Sequence, residues 1–157
     1  MRFQHFIANF AVAIWVSVAS TSVAEAQACQ VKITSLQPDT KVGTVEDVRG
    51  TAEIPSDTFV WVLARRDDLP KRFYWPEGGV AAKDLKDGKW SVTVNFGQSQ
   101  DVGRKFKVTA VVVNHDSDQD LNRWLEEAPG KNYTPRDFPT PVQGCPISDV
   151  VVTKTSH

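Results

Sequence analysis

The sequence is poor in the residues from which catalytic and metal centres are usually built. Its 157 residues include two cysteines, three histidines and one methionine. Past the N-terminal segment only Cys29, Cys145, His115 and His157 remain of the soft ligands, too few and too scattered for a zinc site. An excess of either charge is also lacking. Eighteen Lys and Arg stand against 19 Asp and Glu, a formal charge of -1, so the electrostatic footprint of a nucleic-acid binder is missing. There is no Gly-x-Ser-x-Gly elbow, phosphate-binding loop or dinucleotide fingerprint, which leaves nucleophilic and cofactor chemistry without a motif. No internal repeat or low-complexity tract occurs. Hydrophobic residues at 41% and charged residues at 24% are ordinary for a folded domain and argue against disorder.

What is present begins with an export signal. Met1-Arg2 supplies a positive start, Phe6 to Val18 is uncharged and mostly apolar, and Ala24-Glu25-Ala26-Gln27-Ala28 offers two overlapping small-x-small cleavage sites. These parts in this order predict a signal peptide over residues 1–28 and one folded domain over 29–157, periplasmic or secreted, with no transmembrane segment in the mature chain. An uncleaved anchor is the competing reading, but the polar Asn9 and the Ala-x-Ala pair favour cleavage. Cys29 follows Ala28 directly, the place of a lipidated cysteine in bacterial lipoproteins. Ala26 stands where such signals usually have Leu, and an even cysteine count in an exported domain favours pairing, so Cys29–Cys145 is the expected disulfide. Closing so long a loop is worth on the order of 4–5 kcal/mol by chain entropy.

From residue 31 the pattern is one of short alternating runs divided by turns. Val48, Gly50, Ala52 and Ile54 alternate with polar residues up to Pro55. Phe59 to Arg66 is apolar on both faces, as in a central strand. Phe73-Tyr74-Trp75 reads as a short extended segment stopped by Pro76 and Gly78-Gly79. Lys86-Asp87-Gly88-Lys89 is a turn, after which Trp90, Val92, Val94 and Phe96 alternate cleanly, and Phe106 to Val113 and Ile147 to Thr153 supply the last strands. One segment has helical spacing: Asp120 as cap, then Leu121, Trp124, Leu125 and Ala128 up to Pro129-Gly130. The proline-rich stretch 131–146 reads as a crossover or loop. The expectation is an all-β, antiparallel sandwich of about seven strands with one short helix in a late crossover.

Ile33-Thr34-Ser35-Leu36-Gln37-Pro38-Asp39-Thr40, Val42-Gly43 and Val48-Arg49-Gly50-Thr51-Ala52 resemble the opening of bacterial immunoglobulin-like domains. Trp61-Val62, the Asp87-Gly88-x-Trp90 turn and Phe106-x-Val108 extend the resemblance over roughly residues 31–113. It implies an immunoglobulin-like fold and a role in adhesion, presentation or docking, with no catalytic residues.

Three local patterns remain as candidate chemistry. Asp116, Asp118 and Asp120 alternate, and Glu127 stands twelfth from Asp116, the place of the bidentate ligand in a calcium loop; Leu121, however, occupies the sixth place, where the turn needs Gly. The competing reading is a solvated acidic loop whose last Asp caps the helix. Tyr74, Trp75, Trp124 and Tyr133 lie on irregular segments and could form a platform for a sugar ring or a partner peptide, or else tuck under loops to close the sandwich. Arg65-Arg66-Asp67-Asp68 with Lys71-Arg72 reads as a solvated charged loop, or as a dock for an anionic group. Val60, Val62 and Ala64 are expected in the core, with an exposed docking face as the alternative. Together these features point to an exported, non-catalytic binding or docking module of the bacterial envelope. Its partner would be an envelope or secreted protein, or a surface glycan bound through the aromatics. No cofactor is expected, calcium at the acidic loop being the alternative.

Overall fold

The computed structural model describes residues 28–155. The expected signal peptide, apart from Ala28, and the terminal His157 lie outside the described residues. Within them the fold is an all-β sandwich with one short helix, and no described helix is long and apolar enough to cross a membrane.

Nine strands form: β1 (Gln30–Ile33), β2 (Lys41–Val42), β3 (Val45–Glu53), β4 (Phe59–Arg66), β5 (Phe73–Ala81), β6 (Lys89–Asn95), β7 (Lys105–Val113), β8 (Arg136–Asp137) and β9 (Ser148–Lys154). They make a three-stranded sheet, β1-β3-β6, and a six-stranded sheet, β2-β9-β7-β4-β5-β8. Connections from β3 to β4, from β5 to β6 and from β6 to β7 pass between the sheets. Two strands more than expected appear because β2 and β8 are two-residue ladders, too short for any periodicity to show. The sandwich is not wholly antiparallel either, since β2 runs parallel to β9.

The alternation read from the sequence sets the inner faces. Val48 and Ala52 of β3, Trp90, Val92 and Val94 of β6, and Val108, Ala110 and Val112 of β7 meet Val60, Val62 and Ala64 of β4 in the main core. The other face of β4 is equally dry. Trp61 and Leu63 pack with Tyr74, Val111, Val113 and Leu121 in a second cluster, so β4 is a central strand and its apolar residues are core on both sides. The turn at Asp87-Gly88 takes positive φ at both residues, 52° and 66°, as a tight hairpin requires.

The second cluster is roofed by α1 (His115–Glu127). Its start differs from expectation: Asn114, not Asp120, is the cap, its side chain accepting from the Ser117 amide at 3.0 Å. An Asn cap followed by Asp116 and Asp118 in the first turn satisfies orphan amides and complements the helix dipole, which favours this earlier start. Cys29 and Cys145 are joined, with Cα atoms 5.0 Å apart, just before β1 and β9. That sulfur is therefore not available for a lipid thioether.

β5 does not stop at Pro76. It continues to Ala81 because β8 pairs only with Phe73 and Tyr74, leaving the rest as an edge that tolerates proline and glycine. The register also slips there. Leu63 faces Pro76 and Val62 faces Gly78, so Glu77 is the extra residue of a bulge.

Candidate functional site

The six-stranded sheet is wider than the sheet it faces, and the overhang leaves a cleft of about 570 Å³ beside β5. Its walls come from four places. β5 contributes Trp75 and the bulge residue Glu77; the end of α1 contributes Trp124 and Leu125. The turn after the helix adds Asn132 and Tyr133, and the β6–β7 loop adds Gln98, Gln100 and Asp101. Ala64, Arg66 and Phe106 form the floor.

Local structure explains the placement of each group. Trp75 lies in register with Ala64, which puts it on the sandwich side of the sheet, while Tyr74 points the opposite way. The bulge keeps Glu77 near the same side, where its carboxylate accepts from the Asn95 amide of β6 at 2.9 Å. One side chain thus bridges the edges of the two sheets. The two cleft indoles are fixed by their N–H groups: Trp75 Nε1 donates to the Tyr133 carbonyl at 2.6 Å, and Trp124 Nε1 to the Thr134 carbonyl at 3.1 Å. Asn132 and Tyr133 both adopt left-handed backbone, φ 52° and 49°. For tyrosine that conformation is strained, and strain of this kind concentrates at ligand sites.

The loop wall is equally fixed. Lys154 is fully buried and donates to the Gly97 and Gln98 carbonyls at 2.9 and 2.7 Å. Gly97 has φ +73° and a Cβ there would strike the Asp101 carboxylate, so this position demands glycine. Asp101 accepts from the Gln98 amide and from Arg66 Nη1, each at 2.8 Å, while Arg66 also grips Asp68 with two further bonds.

Electrostatics follow from these contacts. Burial pushes the Glu77 carboxyl up to about 8, against the lowering effect of the Asn95 amide, so near neutrality it is largely protonated. Burial would raise Asp101 as well, but the Gln98 amide and the Arg66 guanidinium outweigh it and hold Asp101 below the usual carboxylate range. Asp68 and Asp101 in turn raise Arg66.

Of the four expected aromatic anchors, the fold brings three together: Trp75, Trp124 and Tyr133. Tyr74 is not among them. It is buried in the second core against Phe138, ring centroids 4.9 Å apart, because alternation sends it to the helix side. The four acidic residues are not gathered either. Asp116, Asp118 and Asp120 ride on α1 rather than a loop, so alternate positions fall on opposite sides of the helix. Asp118 is buried and accepts from Trp61 Nε1 at 2.7 Å and Asn122 Nδ2 at 3.0 Å; Asp120 pairs with Arg123, and Glu127 with Lys131. Among the described residues no cluster of three metal-ligating side chains occurs. The charged run is also divided. Arg65 is buried, with its guanidinium 5.7 Å from the centre of the Tyr74 ring, whereas Arg66 reaches the cleft.

Sequence reading missed Glu77, Asn95, Gln98 and Asp101. The only available signal was Pro76-Glu77-Gly78, an acidic residue inside an interrupted strand, which marks a bulge. A second hollow lies beside the disulfide and the β1–β3 ladder, but no aromatic lines it. No protein-family model matches the chain, and no curated protein matches it.

Proposed function

We propose that this protein is an exported, non-catalytic binding domain of the cell envelope, immunoglobulin-like in kind, whose recognition site is the cleft beside β5. The observation that carries the reading is the convergence of Trp75, Trp124 and Tyr133, from three separate parts of the chain, around one concave site of about 570 Å³. That volume lies within the range of small-ligand sites. Aromatics held by their own N–H groups lose little entropy when a ligand arrives, which makes them efficient anchors. Binding is favoured over catalysis because among the described residues the wall carries no Ser, Cys, His or Lys, and of its two carboxyl groups Asp101 is already fully engaged. The disulfide accords with an extracytoplasmic address.

The test is site-specific photo-crosslinking in cells expressing the full chain. A benzophenone side chain at exposed Tyr133 reports on the cleft, and one at exposed Ile147, before β9, serves as control. An adduct at 133 and not at 147, in the extracytoplasmic fraction, is the expected result. Equal labelling at both, or none at 133, would sink the reading.

A further inference from the structure

The chemistry of the cleft wall narrows the ligand, given the cleft as the recognition site. We propose that it takes an uncharged carbohydrate, with pyranose rings stacked on Trp75 and Trp124 and their hydroxyls bonded to the polar wall around Glu77 and Asn95.

The first support is the way the aromatics are presented. Both indole N–H groups are spent on the adjacent carbonyls of Tyr133 and Thr134, so what the indoles offer a ligand is ring surface. A planar, electron-rich face matches the C–H face of a sugar ring, and two such indoles line the one cleft. Tyr133 extends it at the rim, 57% exposed.

The second support is charge. Three side chains of the acidic and basic types line the cleft: Arg66, Glu77 and Asp101. Arg66 is held by both Asp68 and Asp101, at 2.8 Å each for its shortest bonds, and so offers no unpaired cation to a phosphate, sulfate or uronate. Asp101 has one oxygen on Arg66 and the other on the Gln98 amide, leaving no free anion for a basic peptide. Glu77, mostly protonated near neutrality, brings a hydroxyl donor rather than a charge.

The third support is the inventory of unspent polar atoms. Asn95 uses Oδ1 on the Gly97 amide, and among the described residues its Nδ2 and the Tyr133 hydroxyl have no protein partner. With the Gln98–Gln100 amide pair they make a set of neutral donors and acceptors beside an aromatic face. A proline-rich peptide would also stack on tryptophan, and failure in every neutral gel is the outcome that would favour it.

The test is native affinity electrophoresis of the oxidised mature protein. Gels carry a neutral polysaccharide (β-glucan, xylan, galactomannan, dextran or soluble glycol chitin) or anionic alginate. Retardation in at least one neutral gel is expected, at least tenfold weaker in Trp75→Ala and in Tyr133→Ala. The exposed Tyr133 site guards against a folding artefact, and thermal melts of both variants confirm folding. Wild type running freely in every neutral gel, retardation confined to alginate, or both variants behaving as wild type would each overturn the proposal. If the neutral gels fail while the crosslink at residue 133 forms, the cleft stands as a recognition site and its ligand is not a neutral sugar. If both fail, both readings fall.

Discussion

The six-stranded sheet carries an aromatic cluster on each side of β5, built from the same residue types and treated in opposite ways. On the helix side, Trp61 and Tyr74 are sealed under α1 with Leu63 and Leu121, and the Trp61 N–H is met by the buried Asp118 carboxylate. On the other side Trp75 lines the cleft, where Trp124 joins it from the end of α1, and the N–H groups of both are met by backbone carbonyls of the turn after the helix. Gly79 lets the Trp61 ring lie flat on β5, since a Cβ there would come within 2.5 Å of it. No strand of the three-stranded sheet covers Trp75 in the same way. Whether an aromatic becomes core or cleft wall is thus decided by what lies above it, here three strands against six.

If one side is sealed and the other open, equal truncations must cost unequally. Trp61→Ala removes a fully buried side chain and strands the Asp118 carboxylate, so it should destabilise by about 3–5 kcal/mol, read as the shift in urea midpoint. Loss of the disulfide by Cys29→Ser with Cys145→Ser should cost about 2–5 kcal/mol, the upper end being the full chain-entropy value. The bond sits at the Gln30–Glu53 end of the sandwich, opposite the Asn95 end that holds the cleft, so tryptophan fluorescence from the cleft should not change in the folded protein. A shifted emission maximum would show that the two ends are coupled.

A finer probe of the sealed side is Asp118→Ala. It leaves the Trp61 N–H buried without a partner and removes a charge favourable to the helix N-terminus, at a cost of about 1–3 kcal/mol. Asp118→Asn, which keeps an acceptor for the indole, should recover much of that loss. No recovery would mean that the charge, not the hydrogen bond, holds the helix.

On the open side the matching probe is pH. Glu77 has its folded-state pKa raised, from 4.5 to about 8, so the native state holds a proton that the unfolded chain releases. Stability from this group is full below about 4.5 and falls as pH rises towards 8. Asp101 works in the other sense: its depressed pKa stabilises above the ordinary Asp range, and that contribution is lost on acidification. The expected profile has a maximum on the acid side of neutrality, with a decline towards pH 8 that Glu77→Gln flattens. An unchanged slope in that variant would remove Glu77 as the cause.

The sandwich was legible because alternation survives in β3 and β6, where each strand has one wet and one dry face, and in the first residues of β7 before both its faces become buried. The pairing of Cys29 with Cys145 was legible from the even cysteine count and the expected export signal. The site was only partly so. Trp75, Trp124 and Tyr133 stood out by residue type, yet nothing local separates Trp75 from Tyr74, adjacent in sequence and opposite in fate. Their sidedness depends on register with Ala64 and on the width of the facing sheet. Glu77 was hidden behind Pro76 and Gly78, which read as strand breakers until an edge strand with a bulge accommodates them. The acidic run misled for a related reason. The Asn114 cap starts α1 six residues before Asp120, which turns an apparent loop into a helix and scatters its carboxylates.

The smallest expected stability effect is the most informative about the open side. Trp124 is half-buried, its N–H bond to Thr134 is exposed, and its removal opens space that is already cleft. Trp124→Ala should therefore cost only about 1 kcal/mol, a shift of about 3–5 °C in Tm. If Trp124 were core, the same change would cost about as much as Trp61→Ala. A near-neutral melt with lost retention on the neutral polysaccharide would assign this indole to recognition. A large drop in Tm would instead place it with Trp61, and the two sides of the sheet would cease to differ in kind.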